Sequence, residues 1–282
     1  MNVYEVINTR ILALLEKGTV PWRKPWNSQG NYPRNLVSGR EYKGVNIFLL
    51  ACQEYSSPYW LTFKQCQERG GAVKQGEKGT PVIFWKWLDK TDTDESGKIP
   101  LLRYYSVFNT DQCQGITTPP LQVNSKPFTP IEKSELMLLG MPMKPEIRYG
   151  GNRAYYSPSL DYIQLPGRQT FSTAEDYHNT LFHECVHATG HGNRLARRSI
   201  LEPSYFGSHE YSKEELVAEM GAAFLCGHAG IDTITIENSA AYIKGWLKAL
   251  KNDKTLLVYA AAQAQKAADY IINRQPEAPE TN

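Results

Sequence analysis

Apolar positions recur at helical spacing at the start of the chain. Val3, Val6, Ile7, Ile11, Leu14 and Leu15 share one face and the run stops at Gly18, which predicts a helix over about 2–17. GTVPWRKPWNSQGNYPRNLVSGREYKG follows, so dense in Gly, Pro and Asn that it predicts loop and turn. GVNIFLLACQEY restores an apolar run of helical length, and WLTFKQCQERGG reads as a strand end or turn leading into a short helix closed by Gly70 and Gly71. GTPVIFWKWLDK is β-branched and aromatic, hence strand-like, and LLRYYSVFNTDQ reads as its partner across the acidic turn TDTDESGK. Residues 1–120 are therefore expected to form a small α+β domain.

TTPPLQVNSKPFTP, at 117–130, lacks periodicity and is rich in Pro, Thr and Ser, so a linker is placed at 121–135. A second domain is expected over 136–274. It starts with a short helix at IEKSELMLLG, after which EIRYG, RAYYSP and DYIQLP read as an antiparallel meander. Helices follow at about 173–190, 212–229, 237–251 and 253–273, and the tail QPEAPETN, 275–282, is expected to be disordered. The fold class predicted for the whole chain is α+β.

Composition adds an asymmetry to this plan. The net charge is only +2, but residues 1–90 hold 13 Lys and Arg against 7 Asp and Glu, an excess of +6, while residues 126–282 hold 16 against 18, which gives −2. A basic excess of that size in one segment suits a polyanionic partner. The five cysteines, Cys52, Cys66, Cys113, Cys185 and Cys226, are odd in number and far apart, which suggests neither a disulfide framework nor a Cys-x-x-Cys metal site. No run approaches the roughly 18 apolar residues that cross a bilayer, and the start is amphipathic rather than a basic leader. A cytoplasmic protein with no membrane partner is expected.

The chemistry concentrates in TLFHECVHATGH, residues 180–191. Positions i and i+4 of a helix share a face, so His183 and His187 can aim two imidazoles at one ion, with Glu184 beside them. Catalytic zinc takes three protein ligands, and a nearby carboxylate can accept a proton from water at the open position. Zn2+ is the expected cofactor, with another divalent ion such as Mn2+ an alternative. Asn193 occupies the place of a third histidine six residues past His187, and His191 follows Gly190, where the helix is expected to end. SKEELVAEMGAAFL offers Glu215 and Glu219 at i and i+4 instead. Glu215 is assigned as third ligand and Glu219 as the acceptor that orients a ligating histidine, with the exchange of these two roles left open.

Residues 145–230 resemble the gluzincin group of zinc peptidases, whose His-Glu-x-x-His helix is followed by a helix bearing a glutamate ligand and an acidic residue one turn later. The resemblance implies Glu184 as the catalytic base and a peptide laid along a sheet edge. It also implies a transition-state donor, for which Tyr205, His209 and Tyr211 are available. His178 and His228 are read as structural or surface residues.

Five of the six tryptophans lie in the first 87 residues, interleaved with cations: Trp22, Arg23, Lys24 and Trp26 in VPWRKPW, Trp60 and Lys64 in WLTFK, Trp85, Lys86 and Trp87 in VIFWKW. Exposed rings stack on unpaired bases and cations neutralise phosphates, a combination suited to single-stranded nucleic acid. The opposing reading is that these rings are core, above all in VIFWKW. GTVPWRKPW, SGREYKGVNIFLL, WLTFKQCQERGGAVKQGEKGTPVIFWKW and YYSVFNTDQCQGI, in that order, resemble the N-terminal single-stranded-DNA-binding domain of ArdC-type antirestriction proteins, which is also found on TraC-type primases of conjugative plasmids. With the metallopeptidase-like half, the resemblance covers nearly the whole chain. It implies an antirestriction protein of a mobile element that binds single-stranded DNA, and double-stranded DNA more weakly. Arg40, Tyr42, Lys43, Asn46 and Lys78 then join the DNA-binding candidates. Two alternatives stand beside it: a zinc protease directed at a host protein, and a DNA-binding protein whose metal is structural.

Overall fold

The computed structural model describes residues 2–22, 32–53, 55–89, 98–120, 129–202, 208–231 and 240–274, with backbone alone at 86–89, 98–100, 130, 209, 240 and 241. The linker core, most of the acidic turn and the tail 275–282 lie outside the described residues. The chain divides into two units, Met1–Lys17 with Asn31–Gln122 and Gly18–Gly30 with Val123–Asn282.

In the first unit, helix α1 (Val3–Glu16) starts at a capping box in which Asn2 accepts from the Glu5 amide and Glu5 returns a bond to Asn2. It buries Ile7, Ile11 and Leu15 of the predicted apolar face. The remaining elements are β1 (Arg34–Asn35), α2 (Val45–Ala51), β2 (Tyr59–Leu61), α3 (Phe63–Glu68), β3 (Ala72–Val73), β4 (Thr80–Asp89), β5 (Lys98–Asn109) and β6 (Cys113–Gln114). β4 and β5 form the long hairpin that the sequence pattern predicts, within a sheet of order β1-β2-β5-β4. Neighbouring residues on a strand point to opposite faces, and the sheet carries a small core on each. Tyr42, Leu50, Trp60, Val82 and Val107 cluster on one side, and Leu36, Leu61, Cys66, Cys113 and the half-buried Phe108 on the other.

The second unit begins its C-terminal part with α4 (Pro130–Leu139), where Thr129 and Glu132 form a capping box ahead of Pro130. Strands β7 (Glu146–Tyr149), β8 (Tyr155–Ser157) and β9 (Tyr162–Leu165) follow, then helices α5 (Ala174–Thr189), α6 (Arg198–Leu201), α7 (His209–Ala229), α8 (Ala240–Asn252) and α9 (Leu256–Ile271). The sheet differs from a meander. Its order is β7-β9-β8, with β7 and β9 parallel and β8 and β9 antiparallel. The reason lies in the side chains. Ile163 and Leu165 of β9 are fully buried, whereas Glu146, Arg148 and Tyr149 of β7 are exposed, so the strand best able to bury a face takes the centre. β8 is left as an edge.

Helices α5, α7 and α9 pack on one another. Gly221 of α7 is what permits the closest approach, since a Cβ there would lie 2.6 Å from Cγ2 of Val186 on α5. That approach matters because α5 carries the histidines and α7 the glutamates. α7 starts before the predicted position 212 because Ser208 caps it, accepting from the Tyr211 amide.

Candidate metal centre and nucleic-acid surface

His183 and His187 lie on the cleft face of α5, one turn apart, and Glu215 reaches them from α7. The His183 and His187 Nε2 atoms are 3.1 Å apart, and the two Glu215 carboxylate oxygens stand 3.6 Å from His183 Nε2 and 3.7 Å from His187 Nε2. An ion held tetrahedrally at about 2.0–2.1 Å needs donors about 3.4 Å apart. One donor atom from each of the three side chains falls within a mutual 4.8 Å, so the set fits a single small divalent cation. Burial pulls the His183 pKa down, but the Glu215 hydrogen bond and the charges of Glu184, Glu219 and Glu215 outweigh it and leave it raised. Burial pushes the Glu215 pKa up, and the two histidines and the Tyr211 hydroxyl more than reverse it, so Glu215 stays a carboxylate.

Buried polar groups behind the histidines hold this face in place. Glu214 accepts from His187 Nδ1 at 3.2 Å, which leaves Nε2 with its lone pair toward the cleft. Arg197 grips Glu214 in two places, Nε to Oε2 at 3.1 Å and Nη2 to Oε1 at 2.6 Å, and Ser199 donates to the same carboxylate. Arg197 also donates to the Val186 carbonyl and the Thr189 hydroxyl, each at 2.6 Å, so one buried guanidinium ties α6 to both helices of the site. Burial opposes ionisation of Glu214, yet His187 and Arg197 hold its pKa down to about 2.

Four of the five residues assigned from sequence line the cleft, Glu219 does not, and two further residues support them. His183, His187 and Glu215 converge, and Glu184 is buried while still lining the cleft. Glu219 acts on His183 through its charge. Glu214 and Arg197 were not singled out. Adjacent helix residues point about 100° apart, so in KEEL one glutamate faces the ion position and the other the back of His187. The signal was the arginine run NRLARRS, which needs a buried acid if any of it is to be buried.

The cleft is about 790 Å³ and is lined by the triad, Glu184, Tyr211 and the edge strand around Tyr155 and Tyr156. Of the three donor candidates, Tyr205 lies outside the described residues, as does the His209 side chain. Tyr211 lines the cleft, where burial and then Glu215 push its pKa up to about 12. His191 reaches the cleft rim past the helix end. His178 is structural, bonded to the Ala174 carbonyl and to Glu135.

The DNA-binding candidates do not gather in this way. Trp22 is 1% exposed, belongs to the second unit, meets Trp246 edge-on at 5.9 Å and donates to the Tyr242 hydroxyl. Trp60 and Tyr42 are core. Asn46 is buried, its amide bonded to both the N–H and the carbonyl of Ile83 on the edge strand β4. These four are corrected from surface to structure: rings this large gain more by burial than a small domain can forgo, and the Asn46 amide closes an open strand edge. Arg40, Lys64, Lys78 and Trp85 are exposed and Lys43 is partly so, with Lys64 paired to Glu68 at 3.6 Å. Arg23, Lys24, Trp26 and the Lys86 side chain lie outside the described residues.

Comparison with known proteins joins the two halves. A model of the N-terminal domain of anti-restriction factor ArdC matches residues 1–108, and a model of zincin-like metallopeptidases matches residues 138–263. The chain is also similar to the metal-free crystal structure of antirestriction protein ArdC from the R388 plasmid, at 37% identity and a TM-score of 0.76 over 97% of this chain and 98% of that one. The Mn(II)-bound structure of the same protein gives 36% and 0.77 over the same shares. The chain belongs to the ArdC antirestriction family.

Within that family setting, the y4eC protein of Sinorhizobium fredii is 33% identical over 98% of this chain and 94% of its own length. DNA primase TraC of Escherichia coli is 36% identical over 95% of this chain. The chain spans only 27% of TraC, so the larger protein contains an ArdC-like portion. The β4–β5 hairpin falls largely within the first matched range, and the His183, His187 and Glu215 triad within the second. Among the described residues, no helix is long and apolar enough to cross a membrane.

Proposed function

We propose that this chain is an antirestriction protein that binds single-stranded DNA through its N-terminal unit and holds one divalent cation on His183, His187 and Glu215. The observation that carries the reading is the convergence of those three donors within 4.8 Å, in a chain similar along almost its whole length to an ArdC that has been crystallised with Mn(II). Zn2+ and Mn2+ both suit two imidazoles and a carboxylate. DNA contact would come from the exposed cations, Arg40, Lys43, Lys64 and Lys78, by phosphate neutralisation without sequence readout, with weaker binding of duplex.

A peptidase activity of the second unit is the companion reading, and the buried Glu184 beside an edge strand favours it. In this reading Glu184 holds or takes a proton in the cleft, Tyr211 donates one, and the edge strand β8 receives an extended peptide of a host protein. A bound cation supplies Lewis-acid polarisation there. The buried pair Glu214–Arg197 keeps His187 in one tautomer and orientation.

The test is protection of unmodified plasmid DNA entering a restricting host that expresses wild type, Glu184→Gln or Glu215→Ala. Protection by wild type is expected. A host restricted equally with and without the protein would sink the antirestriction reading. Full protection by Glu184→Gln would remove proteolysis from the mechanism while leaving DNA binding in place.

A further inference from the structure

Exposed aromatic rings of the N-terminal unit concentrate on one element. Phe84, Trp85, Tyr104 and Tyr105 are 39%, 47%, 48% and 36% exposed, and all four lie on the β4–β5 hairpin. Register sorts them by face: Val82 stands opposite Tyr105, Ile83 opposite Tyr104, Phe84 opposite Arg103 and Trp85 opposite Leu102. Opposed residues share a face and faces alternate along each strand. Phe84, Tyr105 and Arg103 therefore stand on one side, Trp85 and Tyr104 on the other.

The first side is the better built for a polyanion. Phe84 and Tyr105 meet edge to face with centroids 5.5 Å apart, and Arg103 is exposed directly across from Phe84. Val82 and Val107, on that same face, are covered by Tyr42, so the segment Arg40–Lys43 borders it. The Asn46 bonds to Ile83, both 2.8 Å, then hold the start of α2, with Lys43 just before it, at the strand edge one residue from Phe84. No aliphatic side chain is exposed among the described residues of the hairpin, in contrast to the Leu136, Leu139, Met143 and Leu160 surface of the second unit. Rings and cations without aliphatics are what unpaired bases and phosphates recognise.

We propose that this face of the hairpin is the strand-binding element, with successive bases of single-stranded DNA stacking on Phe84 and Tyr105 and their phosphates neutralised by Arg103 and Lys43. The inference rests on the single-stranded-DNA reading above and supplies its site. Loss of one stacking ring weakens binding by about fivefold to a hundredfold.

The experiment measures binding of a fluorescent oligothymidylate to the full chain by anisotropy over a salt series, with thermal melts of every variant. Phe84→Ala/Tyr105→Ala should bind at least tenfold more weakly while still folded at the assay temperature by its melt, and Arg103→Ala, with an unchanged melt, should weaken binding and lower the salt slope by about one phosphate. Phe63→Ala, which removes an exposed ring off the hairpin, should bind as wild type does. Trp85→Ala/Tyr104→Ala should lose less than the first pair. Wild-type affinity in Phe84→Ala/Tyr105→Ala, or a larger loss in Trp85→Ala/Tyr104→Ala, overturns the site while wild-type binding keeps the reading beneath it. No binding by wild type would instead defeat that reading.

Discussion

In the C-terminal unit, polar side chains from three segments converge on one cleft and are held there by other buried polar groups. In the N-terminal unit, the residues expected on a common surface disperse, Trp60 and Tyr42 into a core and Asn46 onto a strand edge. The difference is one of what each kind of site demands. A cation fixes donor identity, spacing and direction, and the supporting bonds of Glu214 and Arg197 follow from the need to pair every buried charge. A stacking surface demands only a ring and exposure, and the same ring is what a small core uses most readily.

The largest expected effect separates the two uses of an aromatic ring. Trp60→Ala should destabilise the N-terminal unit by about 3–5 kcal/mol, because it empties a core position, and Lys64→Ala should stay within about 0.5 kcal/mol of wild type. Denaturant titration of the two variants checks this. A Trp60→Ala protein of wild-type stability with impaired DNA binding would restore Trp60 to the surface and break the contrast.

Next comes the support of the metal centre. Glu214→Gln keeps an acceptor for His187 but removes the charge that Arg197 grips, and cation affinity should fall by about 10–100-fold. Equilibrium dialysis against a chelator measures it. Unchanged affinity would make the buried pair a packing feature only.

The third contrast is silent at neutral pH and appears only on acidification. Burial, and then Arg274 and Lys133, hold the His228 pKa down to about 4, against 6.5 for the free side chain. Between those values the unfolded chain binds a proton that the folded chain refuses, so stability falls as pH drops from 6.5 toward 4, by about 1.4 kcal/mol per unit from this group, and is unaffected above 6.5. His228→Gln should flatten that limb of the profile relative to wild type. Parallel profiles would show that His228 does not control it.

These contrasts also mark what the amino-acid pattern could convey. The α5 histidines, the glutamates of α7 and the β4–β5 hairpin were all legible, since each rests on spacing within one element or on two strands joined by a turn. The β7-β9-β8 order was not, because the pairing of three short strands depends on which one buries its side chains in the core, a tertiary fact. Trp22 misled for a related reason: a ring between prolines and cations looks like an exposed loop until Trp246, more than two hundred residues away, supplies its partner. The binding candidates Phe84, Tyr105 and Arg103 became visible only with the strand register, which places a ring pair and a cation on one face.

Calorimetric titration of Mn(II) into chelator-treated wild type and Glu215→Ala tests the central claim most directly. The account predicts one site per chain in wild type and an affinity lower by about a hundredfold or more in the variant, since a ligand is removed rather than its support. Equal affinity in the two proteins would contradict it.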